Sequence, residues 1–214
     1  MGSTSLATVD PVVAAFDVDG TLTVRDCVLP FLVRSGRAGF VVRVIKQLPR
    51  VLRLAAARDR DRLKGVFVAS AVSGMSVDAV EGIGTRFASV VAGSWMRSDV
   101  AARLRWHQDQ GHVVVLVSAS LAPYLVPLGE LLEVDAVLCT ELESENGFLT
   151  GALLGSNCRG QEKLNRLHSW AVESGIVGEE WLQYAYGDSS GDTEMLAAAR
   201  QRSEEHTSEL QSRG

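Results

Sequence analysis

Apolar residues along the chain form two patterns, short unbroken runs and longer stretches with three- and four-residue steps, and these predict strands and helices respectively. The first run, Val12 to Val18, is rich in Val and Phe and bounded by Pro11 and Gly20, as expected of a parallel strand buried on both faces. From about Val28 to Gly93 the spacing turns helical. Phe31, Leu32, Phe40, Val41, Val44, Ile45, Leu48, Val51, Leu52 and Leu54 recur with Arg and Lys between them, and Gly36, Gly39, Pro49 and Gly65 punctuate the stretch. It reads as an all-helical insertion behind the first strand. A helix over about Ser98 to Gln110 leads through Gly111 into a second strand, His112 to Val117, which ends at Ser118-Ala-Ser120. Ala136 to Leu142 reads as a third strand, and Ser144-Glu-Asn-Gly147 as the hairpin turn before Phe148-Leu-Thr150. Gln161 to Glu173 is helical through Leu164, Leu167 and Trp170; Trp181 to Tyr186 is a fourth strand, and Asp192 opens a last helix. Alternating strands and helices predict an α/β fold with a doubly wound parallel sheet.

A length of 214 residues, 46% hydrophobic and 22% charged, fits one domain of ordinary size with a smaller one inserted. The boundaries place the core at residues 10–27 and 94–201 and the helical insertion at 28–93. Cys27, Cys139 and Cys158 are widely spaced, odd in number and free of any Cys-x-x-Cys pattern, so neither a disulfide framework nor a zinc site is expected, and the cytoplasm is the default location. The start lacks a basic region followed by an apolar core, and no stretch approaches the roughly 20 apolar residues of a membrane span.

Charge adds an asymmetry. Within a chain of net charge −5, the segment Leu29 to Val66 holds ten bases against the two acids Asp59 and Asp61, about +8 by that count. Such a segment either steers an anionic substrate, touches an anionic membrane surface, or is a solvated helix face. It lacks interleaved aromatics and the overall balance is acidic, so nucleic-acid binding is not expected. Residues 202–212, Arg-Ser-Glu-Glu-His-Thr-Ser-Glu-Leu-Gln-Ser, look like one reading frame of a sequencing adapter, and 202–214 is expected to be a foreign tail.

The chemistry sits where apolar runs end. Asp17-Val-Asp-Gly-Thr-Leu-Thr23 sets two carboxylates two residues apart after a buried strand, where they would repel without a cation. Tyr186-Gly-Asp-Ser-Ser-Gly-Asp192 repeats the pattern of apolar run, glycine and paired acids. Together they read as a Mg²⁺ and phosphoryl site, since Mg²⁺ prefers oxygen ligands. Asp17 is the candidate nucleophile and Asp19 the candidate acid and base. Asp17, Asp188 and Asp192, with the backbone carbonyl of Asp19, are the candidate ligands. Ser118, at the end of the second strand, is placed to hold a phosphoryl oxygen, and Lys163 to neutralise charge shared by phosphate and nucleophile.

These four segments, in this order, resemble the motifs of the haloacid dehalogenase superfamily of phosphohydrolases: Asp17 to Thr23 the first, Ser118 the second, Lys163 the third, and Gly187-Asp188 with Asp192 the fourth. The resemblance covers about Val12 to Arg200 and implies a Rossmann-like core, Mg²⁺ dependence and an aspartyl-phosphate intermediate. It also implies that the helical insertion is a cap of the phosphoserine phosphatase-like branch, closing over a small phosphorylated substrate. Asp19 favours a phosphatase over the dehalogenases, which generally lack this acid, and over the transport ATPases, which carry Thr there. Two departures leave the substrate open. Asp26 stands where phosphoserine phosphatases usually carry Glu, and Ser118-Ala-Ser120 replaces their Ser-Gly-Gly turn. Phosphoserine is therefore one candidate. A lipid phosphate hydrolysed at a membrane surface is another, and a non-catalytic phosphate-binding protein is the reading from a different class. The family pattern further implies that a last core strand is missing after the helix begun at Asp192.

Overall fold

A computed structural model describes residues 11–176, 178 and 180–204. Its strands are β1 (Val13–Phe16), β2 (Val113–Leu121), β3 (Ala136–Glu145), β4 (Phe148–Leu154), β5 (Leu182–Gly187) and β6 (Gln201–Glu204), and they form one six-stranded sheet in the order β4-β3-β2-β1-β5-β6. All pairings are parallel except the β3–β4 hairpin. The helices are α1 (Val28–Lys46), α2 (Leu48–Ala56), α3 (Arg60–Val72), α4 (Val77–Ser94), α5 (Ser98–Asp109), α6 (Ala122–Leu131), α7 (Gln161–Glu173) and α8 (Thr193–Ala198).

The two-residue period of β1 divides the interior. Ala14 and Phe16 face one apolar cluster and Val13 and Ala15 the other, and all four are fully buried. The second cluster holds Leu167 of α7 and Leu196 of α8, and the first holds Tyr124 and Leu128 of α6. The sheet is therefore covered on both faces, which is why its central strands read as unbroken apolar runs. The helices of the insertion join the first cluster. Phe31 of α1 and Phe87 of α4 meet Tyr124 with ring centroids 4.8 and 5.3 Å apart, so the insertion and this layer share one interior. A non-helical residue, Arg37 (φ 48°), kinks α1 partway along.

The hairpin turn forms as its Asn-Gly pair predicts, with Asn146 and Gly147 both left-handed at φ 51° and 82°. What the pattern does not announce is where the hairpin goes. It packs against the insertion, with Leu149 N–H donating to Met75 O (2.9 Å) and Gly74 N–H to Leu149 O (2.8 Å).

Two expectations are corrected. The second strand does not stop at Val117 but continues to Leu121, with its register against β3 shifting between Val117 and Leu121, so Ser118 and Ser120 lie in the irregular last part of a strand. Nor is the last strand position empty. Gln201–Glu204 runs parallel to β5, pairing Tyr184 with Gln201 and Gly187 with Glu204, although three of these four residues belong to the stretch read as foreign. Strand pairing uses backbone N–H and C=O groups that every such residue carries, so an exposed edge accepts a segment of any composition. The rest of that stretch, 205–214, lies outside the described residues, as do residues 1–10.

Candidate active site

β1 delivers Asp17 to the carboxyl edge of the sheet, where the Asp17 N–H donates to Tyr186 O at 2.9 Å, at the end of neighbouring β5. Asp17 is almost wholly buried, and its Oδ1 accepts a 2.5 Å hydrogen bond from Lys163 Nζ in the first turn of α7. The same ammonium group donates to Asp192 Oδ1 at the start of α8. Lys163 and Asp192 are also buried, so one lysine bridges two carboxylates out of solvent. Burial pushes Asp17 up to about 6; Lys163 pulls it down and Asp192 pushes it up again. Burial alone would lower Lys163, but the two carboxylates outweigh it and hold the lysine above its ordinary value.

A third acid completes the group. Oxygen atoms of Asp17, Asp188 and Asp192 all lie within 4.8 Å of one another. Gly20 makes room for Asp188: it sits at φ +87°, and a Cβ there would fall 2.3 Å from Asp188 Oδ2. Thr21 Oγ1 links the pair, 3.3 Å from Asp17 Oδ2 and 3.4 Å from Asp188 Oδ1. Asp192 Oδ2 accepts from Ser189 N–H (3.0 Å) and Ser189 Oγ (2.8 Å), which orients this carboxylate from behind. An all-oxygen donor set of converging carboxylates, one of them exposed, fits a hard cation such as Mg²⁺ that retains water ligands.

Asp19 is held differently. Its Oδ2 accepts from Ser120 Oγ (2.6 Å) and its Oδ1 from Cys27 N–H (2.8 Å), and it is not among the three acids whose oxygens converge. Ser120 is itself fixed by Tyr124 OH at 2.8 Å, which connects Asp19 to the aromatic interior shared with the insertion. Burial raises the Asp19 pKa, and the Ser120 hydrogen bond opposes that rise. Ser118 is buried beside these groups, and its Oγ accepts from Ser120 N–H at 3.1 Å.

A cavity of about 390 Å³ opens on this group. Asp17, Asp19, Ser118 and Lys163 stand on one side; Val28, Leu29, Leu32, Leu63 and Phe67 of α1 and α3 give it an apolar wall, with Arg60, Lys64, Asn157 and Arg159 among the remaining lining. Asp26 also borders it, exposed, with Oδ2 accepting from Leu29 N–H at 3.0 Å, which caps the first turn of α1. The structure thus brings together Asp17, Asp188, Asp192 and Lys163, places Asp19 and Ser118 beside them, and leaves Asp26 at the rim.

Lys64 is one residue that sequence reasoning missed. Reaching in from α3, its Nζ donates to Ala119 O, to Thr140 Oγ1 (3.1 Å) and to Asn157 Oδ1 (2.6 Å), and Asn157 in turn donates to Asp61 Oδ1 (2.6 Å) on the same helix. Burial lowers its pKa to about 8, against the pull of Asp19 and other acids. In the sequence Lys64 is one of ten bases in a charged helical stretch, and nothing local marks it as the one turned inward. Ser120 had a weak signal, the second Ser of Ser118-Ala-Ser120.

A family model described as haloacid dehalogenase-like hydrolase matches residues 14–197. Protein CicA of Caulobacter vibrioides is 35% identical over 195 residues, covering 90% of this chain and 85% of that protein. Among solved structures, a protein of unknown function from Bordetella pertussis superposes with a TM-score of 0.73 at 22% identity, over 91% of this chain and 89% of that one. A substrate-bound phosphoserine phosphatase superposes with a TM-score of 0.63 at 19% identity, over 91% of this chain and 85% of that one. Both structures share the fold.

Proposed function

The chain belongs to the haloacid dehalogenase-like hydrolases, and we propose that it is a Mg²⁺-dependent phosphatase that cleaves a small phosphomonoester through an aspartyl-phosphate on Asp17. The observation that carries this reading is the buried Lys163 bridging Asp17 and Asp192, with Asp188 completing the acidic group and Asp19 held separately. A buried nucleophile kept ionised by a lysine, next to a carboxyl group of raised pKa, is the pairing that phosphoryl transfer to a carboxylate requires.

An oxygen of Asp17 attacks phosphorus as the bond from phosphorus to the alcohol oxygen breaks, and protonated Asp19 gives its proton to the departing oxygen. Asp19 then takes a proton from a water that attacks the phosphoryl group, which releases inorganic phosphate and restores the Asp17 carboxylate. Lys163 offsets the negative charge where nucleophile and phosphoryl group meet. Ser118 donates to a phosphoryl oxygen while its own oxygen is held by Ser120 N–H. Asp17, Asp188 and Asp192, with the Asp19 carbonyl, would hold Mg²⁺, which when bound would supply further positive charge for the phosphoryl group.

We assign residues 10–27 and 94–201 to the catalytic core and 28–93 to a lid, with α1 and α3 furnishing the apolar wall of the cavity. Asp26 at the rim and Lys64 within provide opposite charges of the kind an amino-acid phosphate needs, which keeps phosphoserine among the substrates. The described cysteines are free and buried, in keeping with a reducing cytoplasm.

The test is phosphate release from p-nitrophenyl phosphate, phosphoserine, sugar phosphates, nucleotides and a lipid phosphate, with Mg²⁺ or EDTA, beside Asp17→Asn. Release that needs both Mg²⁺ and Asp17 is expected. Release that survives Asp17→Asn in a pure sample, or silence across the panel from a folded one, overturns the reading.

A further inference from the structure

We propose that the outer surface of α1 and α2 docks on an anionic lipid bilayer. This inference concerns where the molecule works and does not depend on the chemistry proposed above.

From Cys27 to Arg58 the chain carries seven Arg and Lys residues and no Asp or Glu. In the fold, α1 turns Phe31, Leu32 and Phe40 inward, yet aliphatic residues also point out along the same helices. Val42 is 52% exposed, Ile45 62% and Leu52 60%, and Val41 and Leu48 are exposed as well. Val41, Ile45, Leu48 and Leu52 follow one another at steps of four, three and four, with Gln47 alone separating α1 from α2. Lys46, Arg50, Arg53 and Arg58 are interspersed with them, exposed, and form no ion pair among the described residues.

A face kept soluble by charge mixes both signs and avoids large exposed aliphatics. This one does neither. Exposed aliphatics ringed by bases are what an interfacial helix presents, the apolar side chains entering the boundary of headgroups and acyl chains while the bases meet anionic headgroups. The remainder of the molecule sharpens the orientation. Net charge is −5 overall, so the rest of the chain is repelled by an anionic surface while α1 and α2 are drawn to it. Among the described residues no helix is long and apolar enough to cross a membrane, so the contact is peripheral.

The test is sedimentation of the full chain with vesicles of phosphatidylcholine alone or mixed with phosphatidylglycerol, at low and high salt. Binding to the mixed vesicles, weakened by salt, is expected. Ile45→Asp with Leu52→Asp should abolish it, and Arg50→Gln with Arg53→Gln should weaken it about twenty-five-fold, at roughly a fivefold loss for each base near the surface. These side chains lie outside the cavity, so circular dichroism and hydrolysis of a soluble phosphomonoester should match the parent. No binding to anionic vesicles at low salt overturns the proposal, as does undiminished binding by the Ile45→Asp, Leu52→Asp variant. Lipid-free self-association that this variant removes, with no vesicle binding by the parent, would assign the face to a second copy instead and equally overturns it.

Discussion

Lys163, buried, and Lys64, half-buried, both bring an ammonium group to the same cavity, and the fold treats them in opposite ways. Lys163, on α7, stands between two aspartates that raise its pKa. Lys64, reaching in from α3, has three neutral oxygens, and burial lowers its pKa to about 8. Neutral acceptors replace some of a lysine's lost hydration, whereas carboxylates also supply opposite charge. The core half of the cavity is thus electrostatically closed, while the α3 half brings in a cation only partly compensated. A cation of that kind is available to an incoming anion.

The largest effect on this contrast should come from Lys163→Met, which leaves Asp17 and Asp192 facing each other without a cation. Stability should fall by about 3–5 kcal/mol, the cost of breaking a buried ion pair from one side. Phosphate release should drop by on the order of 10²–10³-fold. Urea unfolding and initial rates measure the two, and a stability equal to the parent's would show that the bridge is not the device described here.

Lys64→Met should move stability the other way. The folded pKa of Lys64 lies below its unfolded value of 10.5, so holding it charged costs stability below about pH 8, and the cost is relieved as the pH rises from about 8 towards 10.5. The variant should therefore gain on the order of 1–3 kcal/mol at pH 7, with the gain shrinking by pH 10, while activity falls about tenfold. Urea midpoints at the two pH values measure this, and a gain that grows with pH would contradict the sign.

Gly20→Ala bears on the acidic side of the comparison. A left-handed alanine costs about 1–2 kcal/mol, and its Cβ must displace Asp188. The Mg²⁺ concentration for half-maximal activity should rise by about tenfold, read from a magnesium titration.

The smallest change is expected from Ser120→Ala. Without the Ser120 hydroxyl the ionised form of Asp19 loses a donor, so the alkaline limb of the pH profile for kcat/KM, where Asp19 loses the proton it gives to the departing oxygen, should move to higher pH by about 1 unit. An unmoved limb would detach Asp19 from that ionisation.

Much of the site was legible because its signals are local. Asp17 and Asp188 follow apolar runs directly, and a strand that ends in an acid beside a small residue declares its chemistry within a few positions. Asp192 was legible as the second acid of the repeated pattern, and Lys163, a lone lysine in a helix, gained weight only through the order of the four segments. Lys64 and Asn157 were not legible, since they meet each other across 93 positions of the chain and Asn157 meets Asp61 across 96, and Tyr124 gains its place through Phe31 and Phe87 of the insertion. The last strand was misread for the complementary reason. Its absence was inferred from side-chain identity, whereas pairing with β5 runs through the backbone.

By itself, then, the sequence determined the alternation of strands and helices, the burial of β1 on both faces, the Asn146-Gly147 turn and the positions of the acids, because periodicity and turn chemistry act over a few residues. Only the tertiary structure decided that Asp17, Asp188 and Asp192 converge within 4.8 Å, that Lys64 turns inward, and that the aliphatics of α1 and α2 remain outside. A hydrophobic period states that a face is to be covered; what covers it, and which charge is left without a partner, depends on segments brought together from far along the chain.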